Sequence, residues 1–307
     1  MQNKPWIPLQ PGDTVDIIAP AFRQEKTIFK KIEKLLASWQ LNCHIPKNIF
    51  GKDLLCANSD DNRFKQLKAA LFNSNSKAIW CLRGGYGCSR LIPALNQLKP
   101  PPHAKLFIGL SDITALHLFL QQQWHWHTLH GPSIYQCADN RIIKSSIQKT
   151  KDIIFGQQKI IEFNNLLPLN TTKKQTIKAP IIGGNLSLIQ ISIGTSWQPN
   201  THNKILFIEE INERGYQVDR MLEHLKQAGI FSHIKALLLG DFIGGNDPDG
   251  RSRVNAVLKR FAEQNNFPVL QCKGIGHGKI NHPLPLGTTS TLELGKKRSL
   301  HVDAGFA

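Results

Sequence analysis

The stretch Lys77-Ala-Ile-Trp-Cys-Leu-Arg-Gly-Gly-Tyr-Gly87 decides the fold, because an apolar run there passes directly into a glycine-rich turn. Short apolar runs bounded by turn signals are typical of strands buried in parallel sheets, so residues 77–82 are predicted as such a strand. The same pattern occurs at residues 14–19 and at residues 105–110, which end at Ser111. Each run is followed by a turn and a helical pattern, which predicts a mostly parallel sheet flanked by helices.

Two amphipathic helices are predicted between the strands at residues 14–19 and 77–82. Apolar residues recur every three or four positions from Ile28 to Trp39, which places them on one face of a helix. A second helix begins after Ser59, a residue type that caps helix starts, and two acidic residues follow in its first turn. Its buried stripe is formed by Phe64, Leu67, Ala70 and Leu71.

The second half of the chain is less regular. Strands are predicted at residues 205–209, 237–241 and 289–294, and helices at residues 185–193 and 216–228. This half is therefore predicted to be a mixture of helices and strands.

The segment between the halves has weak periodicity and much of the positive charge. From Arg141 to Lys178 there are eight Lys and Arg residues against two acidic residues. The sequence therefore predicts an N-terminal α/β domain over residues 1–141, a basic connecting segment over 142–178, and a smaller, β-rich mixed α/β domain over 179–307.

Composition excludes several classes of protein. The 307 residues include 38 Lys and Arg against 22 Asp and Glu, a formal net charge of +16, and 41% are hydrophobic. A chain of this length can bury a core without disulfides, so disorder is excluded as its main state. The N-terminus lacks the apolar run of a secretory signal, and no stretch approaches the roughly 20 apolar residues that span a bilayer. The six cysteines form no C-x-x-C pair, so we expect reduced thiols in a cytoplasm.

The positive charge predicts an anionic partner, because a basic field concentrates acidic ligands. For the segment from 141 to 178, a solvated surface is favoured over a nucleic-acid interface, since no helix-turn-helix, zinc-finger or RNP signature accompanies the charge. A basic α/β protein that binds DNA or RNA without turnover stays as the alternative from another functional class. Such a protein would bind with a strong salt dependence.

Two features at strand ends could carry chemistry. Ser111 stands where an apolar strand becomes a helix, and amides at a helix start have no partner within the helix, so they could stabilise an oxyanion beside that hydroxyl. The arrangement is similar to a nucleophile elbow without the G-x-S-x-G sequence, and an ordinary helix cap is the more common explanation for such a serine alone. Residues Arg83–Gly87 could likewise bring bare amides close to an anion, although such a motif more often forms only a tight turn.

The second half supplies candidate acids and imidazoles. Glu209 and Glu210 end an apolar strand, and because adjacent strand residues face opposite sides, only one is expected to point at a site. His277 lies among three glycines, surroundings that a purely structural histidine rarely needs. His125 and His127 would share one face of a possible strand and could bind a metal. No acidic or cysteine partner follows at ligand spacing, so packing is the favoured explanation for that pair.

Taken together, these residues resemble the LD-carboxypeptidase family of serine peptidases, which includes the muramoyltetrapeptide carboxypeptidases and the microcin C immunity peptidases. The likeness spans nearly the whole chain, and several motifs in one order are more specific than any single one. The matching stretches are Leu9–Asp13, Ile18–Pro20, Ala78–Ile79, Arg83–Gly87, Gly109–Leu116, His130–Pro132, Gly183–Leu186, Phe207–Glu210, Asp219–Leu222, Gly276–Gly278 and Leu284–Gly287.

The resemblance implies a catalytic triad of Ser111, Glu209 and His277, with the amides of Gly85 and Asp112 as the oxyanion hole. It also implies a Rossmann-like N-terminal domain that supplies the nucleophile and a C-terminal domain that supplies its two partners. The active site is then expected in the cleft between the domains.

The activity implied by the resemblance is removal of the terminal D-amino acid, D-alanine, from a murein tetrapeptide by cleavage of an L–D amide, in peptidoglycan recycling in the cytoplasm. No metal and no cofactor are implied. Arg83 is a candidate anchor for a substrate carboxylate, and the expected partner is a small murein peptide rather than nucleic acid or a membrane. The resemblance also implies a homodimer.

Two alternatives stay open within this family. Glu210 stands where the family often has Asp, so either acid could orient the imidazole, and Glu209 is preferred because it occupies the first acidic position after Phe207-Ile208. The rival substrate is an aminoacyl-nucleotide antibiotic, for which an aromatic platform that could hold an adenine would be the sign.

Overall fold

The computed structural model describes residues 4–171 and 173–307. The first three residues of the predicted N-terminal domain and Thr172 of the predicted connecting segment lie outside the described residues. The strands are β1 (Thr14–Ile18), β2 (Asn42–His44), β3 (Ala78–Cys81), β4 (Leu106–Gly109), β5 (Thr128–His130), β6 (Ile160–Asn164), β7 (Leu167–Pro168), β8 (Gln175–Asn185), β9 (Ile205–Ile211), β10 (Ala236–Ile243), β11 (Val269–Gln271), β12 (Leu284–Leu286), β13 (Thr289–Leu294) and β14 (Arg298–Asp303). The α-helices are α1 (Ile28–Ser38), α2 (Asp60–Phe72), α3 (Ile92–Leu95), α4 (Thr114–Trp124), α5 (Ile134–Ala138), α6 (Lys144–Ile154), α7 (Leu186–Ile191), α8 (Gly215–Gln227) and α9 (Val254–Glu263).

The first sheet has the order β12-β5-β4-β3-β1-β2. Its five strands from the first half all pair in parallel, which confirms the parallel sheet predicted from the apolar runs. Strands β3 and β4 are buried along their whole length, as expected when helices cover both faces of a parallel sheet.

Local signals place the helices of this half. The apolar stripe from Ile28 onward becomes α1, with Ile28, Ile32 and Leu36 buried. Helix α2 begins after Ser59, whose Oγ accepts a hydrogen bond from the Asn62 amide at 3.4 Å. Both helices are confirmed. Within the described ranges, none of the helices is both long enough and apolar enough to cross a membrane.

The second sheet is mixed, with the order β6-β14-β13-β8-β9-β10-β11-β7. Strands β8 to β11 run parallel in its centre, and the outer pairs are antiparallel. Strand β9 continues to Ile211. Glu209 and Glu210 therefore lie inside the strand, whereas the sequence predicts that they end it.

The basic segment over 142–178 contains α6, β6, β7 and the start of β8. Ile153, Ile161 and Phe163 of this segment are buried in the core. Two of the four residues that α6 buries, Ser146 and Thr150, are small and polar, so its apolar stripe is incomplete. The segment predicted as a connection is thus packed regular structure.

Several contacts join the halves, and two of them lie close to Ser111. Strand β12 belongs to the C-terminal half but pairs antiparallel with β5 at the edge of the first sheet. At the start of α4, Thr114 Oγ1 accepts a hydrogen bond from the Asn185 amide at 3.0 Å. Gly184 allows this approach, because its φ is +145° and a Cβ there would lie 2.5 Å from Thr114 Oγ1.

Two fully buried histidines lie near this junction. His117 on α4 donates from Nε2 to the Gly109 carbonyl at 2.9 Å. The His130 ring lies 6.4 Å from the His117 ring and packs edge-on against Phe207 of β9, with centroids 5.2 Å apart. Burial lowers the pKa of His117 to about 4 and the pKa of His130 well below its ordinary value, so both rings are neutral at pH 7.

Acid is expected to destabilise the fold through these rings. The unfolded imidazoles take up protons near their ordinary pKa of about 6.5, whereas folded His117 stays neutral to about pH 4. The unfolded state binds more protons in this window, so the free energy of unfolding decreases as pH falls through it, by about 3 kcal/mol for His117. Urea unfolding at pH 7 and pH 4.5 measures the effect.

His117→Gln should reduce this pH dependence, and the same change at the exposed His103 is the matched control. An identical pH dependence in the parent protein and in His117→Gln would contradict the assignment.

Candidate active site

Ser111 occupies a sharp turn between β4 and α4. Its φ is 65°, a left-handed conformation that is uncommon for residues other than glycine, costs energy and persists only where the surroundings hold it. Asp112 and Ile113, which follow it, are buried, whereas Ser111 is only half-buried. Strand, strained serine and helix are the geometry of a nucleophile elbow, although the flanking sequence differs from the usual one.

The glycine turn after β3 packs against this serine. A Cβ on Gly84 would lie 2.6 Å from Ser111 Cβ and 3.0 Å from Ser111 Oγ, so any side chain at this position would collide with the hydroxyl-bearing group. Gly85 has a φ of +132°, and a Cβ there would meet the Phe22 side chain at 2.5 Å. Among the described residues, the Gly85 amide has no backbone acceptor, so it is available as a donor next to Ser111.

Asp112 fixes the turn to the helix start. Its buried carboxylate accepts a hydrogen bond from the Cys88 amide at 2.8 Å. Burial raises the pKa of Asp112, and the Cys88 amide opposes that shift. The amide of Asp112 lies in the first helical turn, where N–H groups lack a partner within the helix. Asp112 thus contributes structure through its side chain and a candidate oxyanion donor through its main chain.

Arg63 on α2 is a residue that sequence reasoning missed. Its side chain is buried and donates to the carbonyls of Pro20, Asn58 (3.1 Å) and Gly87 (3.0 Å). These carbonyls belong to three loops at the edge of the sheet that holds Ser111. Nothing in the sequence marks Arg63, since it lies beside the apolar stripe of an ordinary helix.

His277 and Glu209 are in direct contact. His277 Nδ1 lies 2.6 Å from Glu209 Oε2, and the Glu209 carboxylate is fully buried. Burial disfavours the charged imidazole, but the charge and hydrogen bond of Glu209 outweigh it, so the pKa of His277 is raised above its ordinary value. In such a pair Glu209 keeps the ring proton on Nδ1, so Nε2 can accept a proton and the carboxylate stabilises the imidazolium that forms.

Glu210 faces the other way. Its Oε1 accepts from Asn185 Nδ2 at 2.9 Å and from the Ile211 amide at 2.8 Å. Its Oε2 accepts from the Ser187 amide at 2.8 Å and from Ser187 Oγ at 2.7 Å, so it caps the start of α7. Burial and the nearby Glu209 raise the pKa of Glu210. Because adjacent strand side chains point to opposite faces, Glu209 contacts the imidazole and Glu210 caps the start of α7.

Strand registers bring the three candidate residues to one edge. Gly109 of β4 pairs with His130 of β5, and His130 pairs with Leu284 of β12. The loop that carries His277 runs directly into β12, so it reaches the first sheet where β4 ends and Ser111 begins. This placement depends on pairing between residues more than 150 positions apart in the chain.

Glu209 reaches the same place through β8. It is the register partner of Asn185, whose amide donates to Thr114, three residues after Ser111. The structure therefore brings His277 and Glu209 into contact and connects them to the Ser111 turn through Asn185 and Thr114.

Arg83 precedes the glycine turn and stacks between two aromatic rings. Its guanidinium lies 5.3 Å from the Phe22 ring centroid and 5.5 Å from that of Tyr135, and Nη1 is 3.3 Å from Gln24 Oε1. In the described part of the chain, no carboxylate pairs with it. Its positive charge is therefore not paired with an acidic side chain among these residues.

The histidines considered for a metal are separate from this site. His125 ends α4 with a φ of 57°, before β5 begins, and His127 Nδ1 donates to the Gly305 carbonyl at 2.9 Å. The two therefore do not share a strand face. Within residues 4–171 and 173–307, no three His, Cys, Asp or Glu side chains are grouped in a way that could hold a metal ion.

Known proteins match nearly the whole chain in sequence. A carboxypeptidase of Rickettsia conorii, so named provisionally, is 39% identical over 291 residues, which is 94% of this chain and 90% of that protein. The murein tetrapeptide carboxypeptidase of Pseudomonas aeruginosa is 25% identical over 309 residues, 96% of this chain and 97% of its own length.

Solved structures show the same fold. The MccF-like protein from Bacillus anthracis superposes with a TM-score of 0.83 at 23% identity, over 97% of this chain and 98% of that chain. The muramoyltetrapeptide carboxypeptidase from Oxalobacter formigenes gives 0.80 at 24% identity, over 96% of this chain and 100% of that chain.

The family models divide the chain in two. The LD-carboxypeptidase N-terminal domain matches residues 15–131 and the LD-carboxypeptidase C-terminal domain matches residues 178–292. The first range contains the Ser111 turn and the second contains Glu209 and His277. With these matches and the Rickettsia relative across nearly its whole length, the chain belongs to the LD-carboxypeptidase family.

Proposed function

We propose that the protein is a serine LD-carboxypeptidase that removes the terminal D-alanine of a murein tetrapeptide, in peptidoglycan recycling in the cytoplasm. The observation that carries this proposal is the 2.6 Å contact between His277 and a fully buried Glu209, at the sheet edge where Ser111 occupies its strained turn. A buried carboxylate, an imidazole and a strained serine are the parts that nucleophilic acyl transfer requires.

In the proposed reaction, Nε2 of His277 accepts the Ser111 proton, because Nδ1 is held by Glu209. Ser111 Oγ then forms a bond to the carbonyl carbon of the L–D amide, and the amides of Gly85 and Asp112 stabilise the oxyanion. His277 returns the proton to the amine of the leaving D-alanine as the C–N bond breaks. A water molecule, deprotonated by His277, releases the shortened peptide from Ser111 and restores the hydroxyl.

Charge supports a substrate that carries carboxylates. The chain has a formal net charge of +16, which favours the approach of anionic peptides. Arg83 lies one residue from the glycine turn and has no protein carboxylate to neutralise it within the described residues. We therefore assign it as the anchor for a substrate carboxylate, whose geometry a guanidinium fits well.

A second candidate substrate, an aminoacyl-nucleotide, is supported by two exposed aromatic rings at the glycine turn. Phe22 is 41% exposed and Tyr86 is 46% exposed, and such rings could stack on a base. One face of Phe22 is already covered by Arg83, which reduces the platform it offers. The murein peptide is therefore the preferred substrate.

The direct test is incubation with murein tetrapeptide and, separately, with an aminoacyl-sulfamoyl adenosine, followed by mass spectrometry. We expect loss of one D-alanine from the tetrapeptide and little cleavage of the nucleotide. Ser111→Ala should abolish turnover and leave the fold intact, because it removes only the hydroxyl of a half-buried side chain. Retention of more than a small fraction of the rate would contradict the nucleophile assignment, and cleavage of the nucleotide alone would favour the second substrate.

The two acids make a matched pair of variants. Glu209→Gln should lower kcat on the order of 10⁴-fold, the loss seen for the equivalent change in another Ser-His-acid system, because an amide cannot hold the tautomer or stabilise the imidazolium. Glu210→Gln should lower thermal stability by weakening the cap of α7, with a far smaller effect on kcat. Steady-state kinetics with the tetrapeptide compare them, and a larger kcat loss in Glu210→Gln would reverse the assignment.

A further inference from the structure

His277 lies in a loop over residues 274–282 whose two ends are joined by a hydrogen bond. The His282 amide donates to the Gly274 carbonyl at 2.7 Å, which joins the two ends of the loop. Inside it, the Gly276 amide donates to Asn281 Oδ1 at 3.4 Å. The Asn281 side chain therefore supports the residue that directly precedes the imidazole.

This loop is held from both sides. On one side, the Asp241 carboxylate of β10 accepts the Gly274 amide, at 3.0 Å for Oδ1 and 3.2 Å for Oδ2. On the other side, Ser146 Oγ of α6 accepts the Asn281 amide at 3.1 Å. Ser146 and Asn281 both have no solvent-exposed surface, so this contact is shielded from bulk solvent.

A second contact with α6 strengthens the support. His282 Nε2 lies 3.4 Å from Lys149 Nζ, and His282 Nδ1 lies 3.3 Å from Ser146 Oγ. An ammonium group can only donate, so Nε2 is the acceptor of the neutral ring and Nδ1–H points at Ser146. Burial and the Lys149 charge lower the pKa of His282 to about 4, which keeps that ring neutral at pH 7.

The loop has little room to move without disturbing the site. Gly276 packs directly on the acid, since a Cβ there would lie 2.8 Å from Glu209 Oε2. A displacement of Gly276 would therefore change the contact between Glu209 and His277. Helix α6 lies between the two ranges that the family models match, so neither range assigns it a role.

We propose that Ser146 is a positioning residue for His277, acting through the main chain and side chain of Asn281, with Lys149 and His282 as a second support. The inference rests on the proposed function for its kinetic consequences. It also gives the basic segment over 142–178 a role in the site, which its charge alone does not suggest.

The test compares Ser146→Ala with Thr150→Val. Thr150 is one turn further along α6, is equally buried, and donates to the Ser146 carbonyl at 2.8 Å. The threonine variant therefore perturbs the helix without removing the contact to the loop. The readouts are kcat and KM for the tetrapeptide and an NMR titration of the His277 ring.

Ser146→Ala should lower kcat by roughly 10- to 100-fold, the scale expected for a small displacement of a catalytic group, with KM nearly unchanged. His277 should titrate at a lower pH than in the parent, because a looser contact with Glu209 stabilises the imidazolium less. The other ionisable groups that act on this ring are Glu210 and the neutral His130, and the Asp241 carboxylate lies against the neighbouring Gly278. The variant changes none of them. Thr150→Val should change neither readout.

The proposal is overturned if Ser146→Ala matches the parent in kcat and in the His277 titration, or if Thr150→Val shifts both by the same amount. If Ser146→Ala does not fold, Lys149→Met at a half-buried position decides instead. It should shift both readouts in the same direction by a smaller factor, and unchanged values would overturn the proposal. If the parent does not cleave the tetrapeptide, the titration still tests the positioning role, so failure of the proposed function is distinguishable.

Discussion

The hydrogen bond between His277 Nδ1 and Glu209 Oε2, at 2.6 Å, constrains much of the surrounding structure. A fully buried carboxylate is costly unless it is paired, and among the described residues Glu209 Oε1 has no partner, so the imidazole is the main compensation. Strand β9 must present Glu209 on one face while Glu210 turns away to cap α7. The loop must then deliver His277 to that carboxylate, and a glycine at position 276 is needed to leave room for it.

The first half meets a matching constraint at Ser111. A serine in a left-handed conformation is strained. Two hydrogen bonds hold the surrounding turns: the Cys88 amide donates to the Asp112 carboxylate, and the buried Arg63 guanidinium donates to the Gly87 carbonyl. The strained serine is thus surrounded by turns that are held by buried hydrogen bonds. The serine and the carboxylate–imidazole pair come from different halves of the chain. The hydrogen bond between Thr114 and Asn185 holds the Ser111 turn against the second sheet, which carries Glu209.

The sequence predicts the features whose signals are local. The apolar runs become β1, β3 and β4, and Ser59 caps the start of α2, because spacing and capping act over a few residues. Ser111, Glu209 and His277 come from ordered motifs, which predict residue types and order but not distances. Only the structure shows that His277 contacts Glu209 and that Glu210 caps the start of α7.

The remaining features depend on distant pairing and leave little local trace. Strand β12 has only three residues and reaches the first sheet by pairing with β5, which no periodicity predicts. Helix α6 buries Ser146 and Thr150 together with Ile153 and Ile154, so half of the residues on its inner face are polar. Arg63 satisfies carbonyls from three loops, and such a role is visible only when those loops are assembled.

Covalent labelling of the protein by diisopropyl fluorophosphate tests the central claim most directly, namely that Ser111 is a nucleophile activated by His277 and Glu209. Peptide mapping by mass spectrometry should find one adduct, on the peptide that contains Ser111, formed as the Oγ–P bond replaces P–F and fluoride leaves. The adduct should be absent in Ser111→Ala and should form much more slowly in Glu209→Gln. An adduct on another residue, or labelling of Ser111 at the same rate in Glu209→Gln, would contradict the account.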